Sequence, residues 1–305
     1  MIDVEETSAL RAALGRVGVW SFALEAQSSA TEREAAAEIE ELGYRAIWFP
    51  ESVPSPDTFT HASLVLGATS RVMVASGIAN TWARDPLAMA NGHRLLSDTH
   101  PGRFVLGLGV SHAPAVARRG GSYANPLQHM RRYLDAMDGA PTRAPLPASP
   151  PRRVLAALGP RMLELAVERA LGAHSYFVPV EHTLSARKTL GPGPVLAVEQ
   201  TVILETDPER ARRVARGSAA YFLELVNYTN NLRRLGFEDE DLTNGGSDRL
   251  IDAAIAWGDV DSICGRVKEH LEAGADHVCV QVVSESDEDV CLPQLRELAP
   301  ALLDL

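Results

Sequence analysis

Short apolar stretches rich in β-branched and aromatic residues recur along the chain, separated by longer stretches in which apolar residues return at helical spacing. The short ones are RVGVW (16–20), RAIWF (45–49), RVMVAS (71–76), RFVLGL (103–108), RVLAAL (153–158), HSYFV (174–178), VLAVEQTVIL (195–204) and HVCVQVV (277–283). Between them, TEREAAAEIEEL places apolar groups around Ala36 and Ile39 at helical spacing, and PRMLELAVERAL opens with Pro160 where a first helical turn accepts proline. Runs this short and apolar, each followed by a helix, suit a sheet buried on both faces. Eight such units predict an α/β fold, a single (β/α)8 TIM barrel over residues 1–305, with its chemistry at the C-terminal strand ends.

Two intervals break the even spacing. GAPTRAPLPASPPRR is rich in proline and alanine and predicts an exposed connection between the fourth helix and the fifth strand. The interval 205–276, between the seventh and eighth strands, predicts two or three extra helices that cover part of the barrel mouth.

Composition narrows the function classes. A formal net charge of -11, with arginines scattered along the chain, disfavours nucleic acid as a partner. The acidic opening MIDVEETSAL lacks the basic start and apolar core of a secretory signal, and no apolar run approaches the ~18 residues that span a membrane. Cys264, Cys279 and Cys291 show no CxxC spacing, which suits a reducing compartment. The expectation is a soluble cytoplasmic protein that acts on a small molecule.

The strand ends hold few chemical groups. The only lysines, Lys188 and Lys268, fall in predicted helices, so Schiff-base chemistry at a strand end is disfavoured, and no HxH or HExxH motif suggests a metal. What remains is Glu51 after strand two, Ser76 to Asn80 after strand three, Val110 to His112 after strand four, and Leu158 to Pro160 after strand five. Backbone N–H groups offered by GLGVSH and by LGPRML, where a helix begins after Gly159, are suited to a phosphate without any lysine. The dinucleotide reading of GLGVSH is weak, because His112 stands where the third glycine belongs; the alternative is that Gly107 and Gly109 serve close packing. Trp20, Phe22, Trp82 and Trp257 are candidates to line an apolar substrate pocket, whereas Trp48 inside its strand is assigned to packing.

Taken in order, LGYRAIWFPES, RVMVASGIANTWARDPLAMA, DTHPGRFVLGLGVSH, LAALGPRMLELA with GAHSYFVPVEHT, and AGADHVCVQVV resemble the luciferase-like monooxygenase superfamily. Within it they are most similar to the oxidoreductases that use coenzyme F420, a deazaflavin. The resemblance implies a non-proline cis peptide after strand three, here Gly77 to Ile78, against which the cofactor ring stacks, flanked by Ser76 and Asn80. It implies cofactor side-arm contacts at Val110, Ser111 and His112, and at Leu158, Gly159 and Pro160. It also places an acid or base at His112 and an acidic residue at Glu51, where Ser52 replaces a histidine found in better-known relatives.

For Glu51 three roles stay open: ring contact, proton donor, or cap of the following helix. For His112 the alternative is a bond to phosphate or to a backbone carbonyl. The resemblance further implies a homodimer. Two other functions stand beside hydride transfer with F420: an FMN-dependent monooxygenase on the same scaffold, and a cofactor-binding protein without catalysis.

Overall fold

The computed structural model describes residues 4–286 and 288–305, so the first three residues of the acidic opening stretch lie outside the described residues. Eight parallel strands form a closed barrel: β1 (Val17–Trp20), β2 (Ala46–Phe49), β3 (Met73–Ser76), β5 (Phe104–Gly109), β6 (Arg152–Ala156), β7 (Gly172–Ser175), β8 (Val195–Leu204) and β10 (His277–Val282). Two short strands are accessory to it, β4 (Ala79–Asn80) and β9 (Ala256–Gly258). The neighbours run β10-β1-β2-β3-β5-β6-β7-β8, and closure comes from β10 pairing with β8 as well as β1. This is a (β/α)8 TIM barrel, and each of the eight expected strands is present within a few residues.

Most barrel strands are buried along their whole length, as a sheet between a packed interior and an outer ring of helices requires. Inside, Trp20, Trp48, Met73, Val105, Val154 and Val195 pack together. The N-terminal helix Val4–Leu14 seals the base of that interior with Leu10 and Leu14. The helices start at side-chain caps where the sequence supplies them, such as Asp57 before Thr58–Ala68 and Asp85 before Pro86–Thr99. The proline-rich connection after Pro126–Asp138 has no regular structure until β6 begins at Arg152.

The interval 205–276 differs from expectation. It holds four α-helices, Pro208–Leu223, Val226–Arg234, Asp248–Ala254 and Val260–Glu272, together with a 3-10 turn and β9. The extra helix is short, only seven residues, too few for a clear helical period. The insertion is anchored on the extension of β8, whose last three residues, Val202 to Leu204, pair with Ala256 to Gly258. A second hydrophobic cluster, containing Phe177, Leu232, Leu250 and Ile251, holds the inserted helices on that platform. Among the described residues no helix is long and apolar enough to cross a membrane.

Candidate active site

A cavity of about 580 Å³ opens at the C-terminal ends of the strands. The strand-end side of its lining comes from Trp20 and Phe22, Glu51 and Ser52, Gly77 and Ile78, Gly109 to His112, and Ala156 to Gly159. The inserted helices supply the other side with Tyr221, Phe222, Asn227, Tyr228, Asn230 and Arg234.

The bulge after β3 is built by contacts that leave no room for extra atoms. The Gly77–Ile78 peptide is cis. Ser76 Oγ donates to the Gly107 carbonyl at 2.9 Å and accepts from the Gly107 N–H at 3.0 Å, locking β3 to β5. A Cβ on Gly107 would collide with the Ser76 carbonyl, and one on Gly109 with the Ile78 side chain. A Cβ on Gly77 would strike Trp20 Nε1 and come within 3.2 Å of His174 Nε2. Gly107 and Gly109 thus serve close packing of the bulge, and Gly109 also faces the cavity.

Glu51 is 6 % exposed and its oxygens are fully engaged. It accepts the Thr58 N–H at 3.0 Å and the Asn80 N–H at 2.7 Å, and it pairs with both terminal nitrogens of Arg84. Arg84 also reaches Asp57 at 2.6 Å. The carboxylate is therefore a clamp joining the β2 end, the bulge and the helix Thr58–Ala68. Of the three roles open from the sequence, this geometry matches support of the helix start best and proton donation least, because both oxygens accept from N–H donors and carry no proton to give.

Ser52 lines the cavity and leads outward. Its Oγ lies 2.7 Å from Ser55 Oγ, which donates to Glu25 Oε1 at 2.8 Å. Burial raises the Glu25 carboxyl above its ordinary range, the Ser55 bond opposing it.

His112 ends the turn after β5, following Ser111 in a left-handed conformation at φ 61°. Its Nδ1 lies 3.0 Å from Asn227 Oδ1, and its ring is 5.5 Å from that of Tyr228. Burial lowers the His112 pKa below the usual imidazole value and favours the neutral ring, partly offset by the Asn227 bond. Across the cavity, the helix Pro160–Arg169 begins at Gly159 without a side-chain cap, and an Arg234 guanidinium nitrogen lies 3.7 Å from where a Gly159 Cβ would stand. A helix start beside a cation suits an anionic group.

The structure does not bring every candidate to the cavity. Ser76 and Asn80 lie behind the bulge as supports, and Pro160 is the first residue of its helix; none lines the cavity. Trp82 stacks on His129 with ring centres 4.3 Å apart and packs against Gly121, outside the lining. Trp257 sits on β9, where its Nε1 donates to Asp252 at 2.8 Å under the Arg212 guanidinium. Its strand pairs with the extension of β8, away from the cavity lining. Trp20 and Phe22 do line it, their rings 4.6 Å apart, with Tyr176 5.0 Å from Trp20.

Sequence reasoning missed Tyr176, Phe222, Asn227, Tyr228 and Arg234, all of which line the cavity. The one available signal was VNYTNNLRR, a helix with three asparagines, a residue that helix interiors disfavour. It also missed His174, a largely buried residue that lines the cavity, stacks on Trp48 at 4.6 Å and is held neutral by burial, its pKa lowered to about 3.

The fold and this arrangement define a TIM-barrel protein with a largely apolar cavity at the strand ends. The luciferase-like monooxygenase family model matches residues 13–277, and the chain belongs to that family. It is similar to the 5,10-methylenetetrahydromethanopterin reductase of Methanolobus tindarius, at 22% identity over 85% of this chain and 83% of that one. Among solved structures it resembles an F420-dependent secondary alcohol dehydrogenase in complex with an F420-acetone adduct. That match has a TM-score of 0.74 and 15% identity, covering 94% of this chain and 99% of that one. It also resembles the oxygenating constituent of 3,6-diketocamphane monooxygenase of Pseudomonas putida in complex with FMN, with a TM-score of 0.69 and 17% identity, covering 95% and 99%.

Proposed function

We propose that the protein is an F420-dependent oxidoreductase that exchanges a hydride between the deazaflavin and a small organic substrate. The observation that carries this reading is the juxtaposition, in one cavity, of an atom-tight glycine bulge, an uncapped helix start beside Arg234, and a neutral imidazole at His112. The residues present fit such a cofactor. Gly77, Ile78 and Gly109 would hold the ring, and Gly159 with Arg234 would receive its phosphate. When bound, the cofactor supplies the hydride chemistry; the protein supplies position, exclusion of water and a proton site.

His112 handles the proton that accompanies hydride transfer, since its ring lines the cavity and is held at Nδ1 by Asn227. Trp20, Phe22, Tyr176, Phe222 and Tyr228 surround the remaining space with apolar area and keep water from the reacting carbon. Support for F420 comes from the F420-dependent secondary alcohol dehydrogenase that the fold resembles.

The FMN-bound neighbour favours a second reading, an FMN-dependent monooxygenase. Titration of the purified protein with F420 and with FMN, followed by fluorescence quenching, separates the two. Tight binding of F420 supports hydride transfer, and preference for FMN with oxygen uptake moves the protein to the monooxygenase branch. Binding of neither overturns both readings. Binding without turnover on any alcohol, ketone, imine or enone leaves a cofactor-binding protein without catalysis.

A further inference from the structure

Among the described residues His112 is the one cavity imidazole with a directed side-chain partner, and that partner comes from the insertion, 115 residues away. Asn227 lies in the first turn of the helix Val226–Arg234, next to Tyr228, whose ring packs at the edge of His112. The Asn227 carbonyl oxygen can only accept a hydrogen bond. At 3.0 Å it therefore calls for the proton of the neutral ring to sit on Nδ1. Nε2 makes no hydrogen bond to the protein among the described residues, and His112 lines the cavity.

We propose that Asn227 is a positioning residue that holds His112 in the Nδ1–H tautomer, leaving the Nε2 lone pair as the acceptor offered to the cavity. The substrate that meets this atom is one that donates a hydrogen bond, so the site takes the hydroxyl partner of a carbonyl–alcohol pair. This substrate class rests on the F420 reading above; the tautomer does not.

In the forward reaction the hydroxyl proton passes to Nε2, and the carbinol C–H bond breaks with its electron pair leaving as hydride to the oxidised deazaflavin. The O–H bonding pair closes the C=O bond. The imidazolium keeps its Nδ1–H bond to Asn227 and later returns the added proton to solvent. The other ionisable groups of the cavity leave this role to His112. Glu51 is paired with Arg84, Arg118 and Arg234 are cations, burial lowers the His174 pKa to about 3 and raises the hydroxyl pKa values of Tyr123, Tyr176 and Tyr228, and Tyr221 is exposed.

Nitrogen-15 NMR of the histidine rings reads the tautomer directly, without cofactor or substrate. In the native protein His112 should show a protonated Nδ1 and a bare Nε2. Asn227→Ala should move the ring toward the Nε2–H form. Asn227→Asp, which keeps the acceptor, should raise the His112 pKa and, above that pKa, restore the Nδ1–H form. A native ring with the proton on Nε2, or a tautomer unchanged in Asn227→Ala, overturns the proposal.

Asn227 is only half-buried, and thermal melts of both variants check that they fold. The substrate class is read in F420-loaded protein, where 1-phenylethanol should shift the Nε2 resonance and acetophenone should not. No shift with the alcohol overturns the hydroxyl assignment. Failure of F420 to bind is seen separately, in the titration, and leaves the tautomer result standing.

Discussion

The two walls of the cavity are made in different ways. The strand-end wall is built on close-packed backbone: at Gly77 and Gly109, on either side of Ile78, a single added Cβ collides with a neighbour, and Ser76 and Glu51 tie the pieces together. The inserted wall is side chain: Phe222, Asn227, Tyr228 and Arg234 project from helices whose own cluster lies outside the barrel. A wall of close-packed backbone accepts almost no change of atoms, whereas a wall of side chains on a separate cluster can alter its lining while the barrel stays intact. The first wall suits a cofactor of fixed shape, and the second suits a substrate.

The largest expected effect breaks the strand-end wall. Arg84→Ala leaves Glu51 buried without its cation, and loss of one partner of such a pair costs about 3–5 kcal/mol. Urea denaturation measures it, and a loss below about 1 kcal/mol would show that the backbone N–H groups alone hold the carboxylate.

Next in size is a carboxyl behind the inserted wall. Burial pushes Glu199 up from 4.5 to about 7, against the Phe177 N–H and the Thr201 hydroxyl. The folded state then holds that proton more tightly than the unfolded chain, so its contribution to stability is fully present below about pH 4.5 and is lost as pH rises through 7. The loss amounts to roughly 3 kcal/mol. Glu199→Gln should gain that amount over the native protein between pH 5 and pH 8 in urea midpoints. The buried neutral His174 and His277, lowered to about 3 and about 4, act oppositely, their contribution being lost as pH falls below 6.5. They cancel in the comparison of variant with native protein, and a difference that does not grow with pH would place the proton elsewhere.

At the seam between the walls, His112→Ala should lower F420 reduction by a secondary alcohol about 100-fold while cofactor affinity is retained. Loss of both together would make His112 a cofactor contact. The smallest effect tests the inserted wall alone: Phe222→Ala should raise the KM for an aromatic alcohol about tenfold, about 1.4 kcal/mol, with F420 affinity unchanged. A fall in F420 affinity instead would erase the division of labour between the walls.

Much of the first wall was legible beforehand. The eight strands, the placement of Gly77, Ile78, Val110 to His112 and Leu158 to Gly159 at one mouth, and the extra helices over it all follow from runs a few residues long. Trp82 and Trp257 were misplaced because an aromatic near a strand end points into the mouth or into an outer layer according to contacts that lie far away in sequence. For Trp82 that contact is His129, and for Trp257 it is Arg212. Glu51 was visible as a residue, but its engagement by Arg84 and Asn80 was not.

The chain by itself determined the barrel and the positions of its glycines, because strand period, helix starts and the need for a missing Cβ are written in neighbouring residues. Tertiary structure decided which side chains share the cavity. The meeting of His112 with Asn227, and of Gly159 with Arg234, depends on an inserted helix folding back over the mouth. That return is directed by burial of Leu232 and its neighbours against the outer cluster, a nonlocal and largely undirected force that no short motif encodes.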